Sequence, residues 1–384
     1  MRSDCPLSTS SSSGARGAGG AGGGRIPWAG LLAVLIVLLL DRTLLGPSGA
    51  WDWNLMRAEK LTFRSIYAGV LADRRALKAA RAIDAAETKV FVVGSSRADQ
   101  AFLAVLAEAA MPESHFFKLT HTLMDPFATR ATVGELLAAG ADVVVLPLSE
   151  IETHRPLRIE PLPATSVADP WTAIELGRAA GLRFSWDNRS SFQRILVAKL
   201  LNGYRFRDVV GRALLNPLRD FDPPERLLGR RMPEMRGDAV MGNPMRGNLE
   251  REVIWQLASQ LPPRLERKSR QLPWFAEVQR GLHAKLQMDL VASTVDALVE
   301  AGVRVVVLDC PSHPIGASVQ QEGARERFVE FAQGLVRPGS VRLIMRDELP
   351  ALRDEHFRDL LHLSQSGATI ATGHIVEAVR ALLP

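Results

Sequence analysis

Lys89-Val90-Phe91-Val92-Val93-Gly94-Ser95-Ser96 reads as a strand that turns at once into a helix. Its apolar run is short and β-branched, the pattern of a strand buried on both faces of a parallel sheet. Gly94 permits the tight turn, and a helical stretch follows from about Asp99 to Ala110. Asn54–Ala86 reads as a helix ahead of this unit. His115–Leu119 and Asp142–Leu148 read as further strands, with a helix over Phe127–Ala139 between them. Much later come a helix over Phe275–Ala301, a strand over Val303–Leu308, a helix over Gly323–Leu335, a strand over Val341–Met345 and a closing helix over Gln365–Leu383. Buried runs alternating with amphipathic helices argue for an α/β fold with a central parallel sheet covered on both faces. The chain shows no internal repeat.

Between the third and fourth strands lies a long insertion, residues 150–274, which is expected to form a basic, largely helical cap. It opens with Pro156, Pro161, Pro163 and Pro170, turns helical over Trp171–Leu215 and is irregular around Pro223–Pro244. The net charge of the 384 residues is +5. Arg178 to Arg231 alone holds 12 basic residues against 5 acidic ones, a surplus of +7 that exceeds the total. So local an excess does not call for nucleic acid. It suits anionic headgroups, an anionic polymer or an acidic partner, and equally a solvated helical face. Hydrophobic residues make up 47% of the chain, enough for a large core, and 2 cysteines are too few for a disulfide framework or a structural zinc site.

Residues 1–25, rich in Ser, Gly and Ala, have little to bury and are expected to be disordered. Residues 26–46 read as a transmembrane signal anchor, with Asp41 and Arg42 near one interface and Trp28, Trp51 and Trp53 flanking the span. Cleavage after the small-x-small site Ser48-Gly49-Ala50 is the competing reading. Both place residues 51–384 outside the cytoplasm.

Two segments carry candidate chemistry. Ser95-Ser96 sit where a strand meets a helix, so helix N–H groups there can stabilise an oxyanion; the same pair also serves as an N-cap. The second is His356-Phe357-Arg358-Asp359-Leu360-Leu361-His362-Leu363-Ser364, after the last strand and before the last helix. Asp359 and His362 are three apart, so the carboxylate can fix the imidazole tautomer while the other ring nitrogen faces a nucleophile. Ser364 is the expected N-cap of the last helix. Asp309-Cys310-Pro311-Ser312-His313-Pro314 groups further reactive types, but Cys310 ends a buried strand and reads as core. Glycine-rich phosphate loops and His/Cys metal spacing are absent, so no cofactor and no metal are expected, which disfavours a cofactor-binding domain.

The nucleophile turn after the first strand, with Asp-x-x-His-Leu-Ser-x-x-Gly before the final helix, resembles the SGNH/GDSL hydrolase superfamily. With an anchor ahead of it, the chain is similar to the membrane-anchored extracytoplasmic branch that includes DltD-like and AlgX/AlgJ-like proteins. The resemblance covers about Val90–Leu148 and Val303–Leu383. It implies a flavodoxin-like three-layer sandwich with Ser96 as nucleophile, His362 as general base and Asp359 as its orienting partner. It further implies a serine esterase or O-acyltransferase acting on acyl esters of cell-surface polysaccharide or glycolipid, with a membrane-bound O-acyltransferase as partner and a periplasmic or cell-surface location.

The chain departs from the pattern at two places. Thr120-His121-Thr122 stands where the second-block glycine belongs, and Pro147-Leu148-Ser149-Glu150 replaces the Gly-x-Asn-Asp of the third block. Ser149, or groups near Thr120 and His121, are then the candidate oxyanion donors, with Ser95 and His313 as further pocket residues. Loss of those blocks also leaves open a catalytically weak or inactive binding or assembly component.

Overall fold

The computed structural model describes residues 28–45, 66–120, 124–154, 170–179, 260–269, 284–317 and 322–383, with isolated positions between 193 and 201. The elements are α1 (Trp28–Leu45), α2 (Ile66–Ala82), β1 (Thr88–Gly94), α3 (Ser96–Ala101), α4 (Ala104–Ala110), β2 (Ser114–Thr120), α5 (Pro126–Ala138), β3 (Val143–Leu148), α6 (Glu150–His154), α7 (Pro170–Ala179), α8 (Pro263–Ser269), α9 (Ala284–Glu300), β4 (Arg304–Asp309), α10 (Pro314–Ala317), α11 (Ala324–Gly334), β5 (Val341–Ile344) and α12 (Gln365–Leu382).

The five strands form one all-parallel sheet in the order β2-β1-β3-β4-β5. Alternate side chains of each strand feed two separate cores. Phe91 and Val93 of β1 pack with α2, α5, α9 and α11 on one face, whereas Val90 and Val92 pack with α4 and α12 on the other. This double burial explains why β1 and β3 read as continuous apolar runs. Because β1 lies between β2 and β3, the winding reverses there. The carboxyl ends of β1 and β3 therefore flank a switch point, the place where open α/β sheets hold their ligands.

The helix expected over Asp99–Ala110 is two helices. α3 starts earlier, at Ser96, and the chain becomes extended at Phe102 and Leu103 before α4. The break lets Phe102 enter the core and lets the Leu103 N–H donate to Thr372 Oγ1 of α12, 3.0 Å away. Lys118 Nζ then satisfies the carbonyls of Asp99 and Phe102 that the break leaves without helical donors.

The span expected over residues 26–46 corresponds to α1, in which Leu31, Leu32, Leu35, Leu39 and Leu40 are exposed, Leu35 and Leu39 at 63% each. No helix among the described residues is long and apolar enough to cross a membrane. The 18 residues of α1 extend about 27 Å, short of a hydrocarbon core of about 30 Å. The tail before residue 26, the Ser48-Gly49-Ala50 site and most of the insertion lie outside the described residues. Of the helix expected over Trp171–Leu215, α7 is its described start; of that over Phe275–Ala301, α9 is the described part.

The loop before α12 is closed tightly by Gly367. A Cβ there would stand 2.2 Å from the His356 carbonyl oxygen, whereas one on Gly373 of the same helix meets nothing within 4 Å. Gly367→Ala is therefore expected to lower stability by about 1–3 kcal/mol. Gly373→Ala should be neutral, or stabilising by up to about 1 kcal/mol. Urea unfolding of the two variants side by side checks the contrast.

Candidate active site

Ser96 is the first residue of α3, placed there by the extended Ser95, whose hydroxyl caps the helix by accepting from the Arg97 N–H. As the first helical residue, Ser96 has a backbone N–H without an acceptor inside the helix. The Ser96 hydroxyl lies 3.0 Å from His362 Nε2. His362 Nδ1 lies 2.9 Å from both carboxylate oxygens of Asp359. An ionised carboxylate only accepts, so Nδ1 carries the proton and Nε2 is free to take one from the serine. Asp359 and His362 are buried while Ser96 is half-buried, leaving the hydroxyl reachable and the base sheltered.

The loop that holds the base is pinned from within. Asp359 Oδ1 accepts from the N–H groups of Leu361 and His362, each at 2.9 Å, and the Arg358 N–H donates to the His362 carbonyl at 2.8 Å. Ser364 caps α12, as its position implies, and its hydroxyl also donates to the Glu355 carbonyl. Burial pushes the Asp359 carboxyl up. Hydrogen bonding and charge from His362, joined by the two N–H donors, outweigh that and hold it below the usual carboxylate range. Asp359 therefore stays ionised to orient the imidazole.

The residue after Ser96, Arg97, was not legible in advance. Its guanidinium is fully buried. Nε donates to the Leu361 carbonyl at 3.1 Å, and Nη2 donates to the carbonyls of Cys310 and Pro311 at 2.8 and 3.1 Å. Nη1 donates to Glu152 Oε2 at 2.8 Å and to the Ser149 hydroxyl. One side chain thus ties the Ser96 turn to the ends of β3 and β4 and to the neighbour of His362. Beside it, Asp309 and Glu150 are held by Arg325 and Arg346. Burial would raise the Asp309 carboxyl, but the two arginines hold it low. The sequence signal was available: acidic residues just beyond β3 and at the end of β4, with arginines following Ser96 and β5.

The expected pocket residues separate into different roles. Ser149 is fully buried; its hydroxyl donates to Glu152 Oε2 at 2.7 Å and accepts from Arg97 and the Ile151 N–H. Its single proton is spent, so it is not an oxyanion donor. Ser95 likewise donates to Glu152, at 3.2 Å. Thr120 donates to Asp99 Oδ1 at 3.1 Å, and His121 lies outside the described residues. His313 is buried and braces the loop: Nδ1 accepts from the Ile315 N–H, Nε2 lies 3.0 Å from Asp354, and the ring meets Phe357 edge-on. Cys310 is core, and burial pushes its thiol up to about 11, so it remains protonated at neutral pH.

A serine, an imidazole and a carboxylate in hydrogen-bond series, at the switch-point edge of a parallel sheet, form the arrangement used for nucleophilic acyl transfer. No family model matches the chain, and a search of curated proteins finds no match.

Two outcomes follow for stability. Arg97→Met leaves Glu152 buried without its cation and should cost about 3–5 kcal/mol in chemical unfolding. Combining it with Glu152→Gln should recover part of that loss. Acid should act in two stages. Burial lowers the pKa of His154, whose Nε2 is buried without a hydrogen-bond partner. Its contribution is full above the ordinary value of 6.5 and falls as pH drops below it. The depressed carboxyls of Asp309 and Asp359 add a steeper loss below 3.8. Thermal unfolding across pH should show both stages, and His154→Gln should remove the first alone.

Proposed function

We propose that this chain is a serine esterase or O-acyltransferase of SGNH/GDSL type, on a flavodoxin-like three-layer sandwich. The observation that carries the reading is the Ser96–His362–Asp359 series, whose members come from opposite ends of the sequence and meet at hydrogen-bond distance. In the first step Ser96 Oγ attacks the acyl carbonyl carbon as His362 Nε2 takes the hydroxyl proton. The carbonyl oxygen becomes an oxyanion facing the Ser96 N–H. Collapse breaks the ester bond, the alkoxide leaves with the proton from His362, and an acyl-serine remains. Water or an acceptor hydroxyl then gives its proton to His362 and attacks the acyl carbon; collapse breaks the bond to Ser96 Oγ, which takes that proton back from His362 as the acyl product leaves. Asp359 holds the imidazolium throughout and is not itself protonated.

Acyl esters of a cell-surface polysaccharide or glycolipid are the proposed substrates, with the site outside the cytoplasm and a membrane-bound O-acyltransferase as partner. Attachment to a membrane through α1 is supported by its exposed leucines. A second reading, a binding or assembly component of low activity, is favoured by the commitment of Ser149 to Arg97 and Glu152. Losing one oxyanion donor costs about 100-fold or more in other enzymes.

A fluorophosphonate probe separates the two. The catalytic reading expects covalent labelling of the full chain at Ser96, abolished in Ser96→Ala and reduced by at least about 100-fold in His362→Ala. A folded protein that stays unlabelled, with Ser96→Ala indistinguishable from the parent, leaves the binding reading.

A further inference from the structure

Beside the triad lies a pocket of about 470 Å³ that no step above uses. Two of its lining residues continue the helix that carries the nucleophile: Asp99 and Gln100 stand three and four positions after Ser96, on the same face of α3. Leu363, which follows the catalytic histidine, and Phe357 form another wall, and Leu265 of α8 a third. Leu261 and Leu265 are buried in the core under β5 and α12, so α8 is fixed against the body of the domain.

The charges around this pocket are unbalanced. Asp99 is already spoken for, 2.7 Å from Lys118 Nζ and accepting from Thr120. Arg264 of α8 and Arg358 of the catalytic loop also line it. Neither guanidinium has an acidic partner among the described residues, whereas Arg97, Arg325 and Arg346 nearby are all paired. Two unpaired guanidiniums and walls of Leu103, Leu265, Phe357 and Leu363 describe the ligand by complement.

We propose that this pocket binds an organic oxyanion, a carboxylate or phosphate on a short apolar stem, and that it receives the non-reacting end of the ester processed at Ser96. The first half stands on the pocket alone; the second rests on the catalytic reading. The guanidiniums hold the oxyanion, and the leucines and Phe357 cover the stem. Charge-assisted contacts to Arg give this preference its strength and its salt sensitivity.

Ligand-observed NMR on the full chain tests the first half, with hexanoate, hexyl phosphate and hexanol as probes. Hexanoate or hexyl phosphate should bind at least about tenfold more tightly than hexanol, and their ranking identifies the preferred oxyanion. Arg264→Gln with Arg358→Gln should remove that advantage while leaving hexanol unchanged. Equal binding of all three, binding of none, or an unaltered preference in the double variant overturns the pocket. The second half is read from 4-nitrophenyl esters matched in length, the monoester of adipic acid against the hexanoate ester. The adipate ester should show the higher kcat/KM, and the double variant should lose that preference chiefly through KM. Ser96-dependent turnover with no preference overturns the subsite but not the esterase. Anion binding without any Ser96-dependent turnover overturns the esterase but not the pocket.

Discussion

The buried guanidinium of Arg97 is the constraint on which the site depends. It has no water to solvate it, so all its donors must be met by protein, and the acceptors it finds are the carbonyls of Leu361, Cys310 and Pro311 together with Glu152 and Ser149. A charge taken from water at such cost is tolerated only when its geometry is satisfied on all sides. The consequence is directional. The carbonyl next to His362 cannot drift from the residue next to Ser96, because both are attached to one rigid planar group. Glu150, Glu152 and Asp309 face Arg97, Arg325 and Arg346, three acidic groups against three basic ones. The carboxyl edge of the sheet therefore carries high charge density without net charge, and the Ser96 hydroxyl borders it.

Much of this was legible in the residues. The β-branched runs located β1, β3 and β4 to within a residue, because strands buried on both faces leave no ambiguity of phase, and β2 and β5 were placed as closely although both are partly exposed. Asp359 and His362 were legible because a three-residue spacing in a short loop limits where their side chains can go, and Ser364 because an N-cap has few chemical alternatives. Arg97 was not. Arginine next to a nucleophile normally reads as a surface residue, and only the convergence of three strand ends shows it to be buried. Ser149 failed for the related reason that a serine after a strand looks like an available donor until its acceptors and its one proton are counted. The break between α3 and α4 escaped notice because Ala-rich sequence has high helical propensity, which the burial of Phe102 overrides.

The surplus over Arg178–Arg231 falls almost wholly outside the described residues. Arg264, near the end of the insertion, lines a pocket with Phe357 and Leu363, on a short helix anchored by the buried Leu265. Leucine supplies the attachment while the arginine stays exposed, so position and charge are set by different residues of one helix turn.

The contacts of Arg97 reach 52, 55, 213 and 264 residues along the chain, and the Ser96–His362 pair spans 266. Contacts so distant in sequence are entropically the slowest to close. No local segment can hold a half-built version of this site, since the guanidinium is tolerable in the interior only when every distant carbonyl has arrived. The Ser96–His362–Asp359 series thus exists only where all of these distant segments have arrived, so its geometry reports on the integrity of the whole domain.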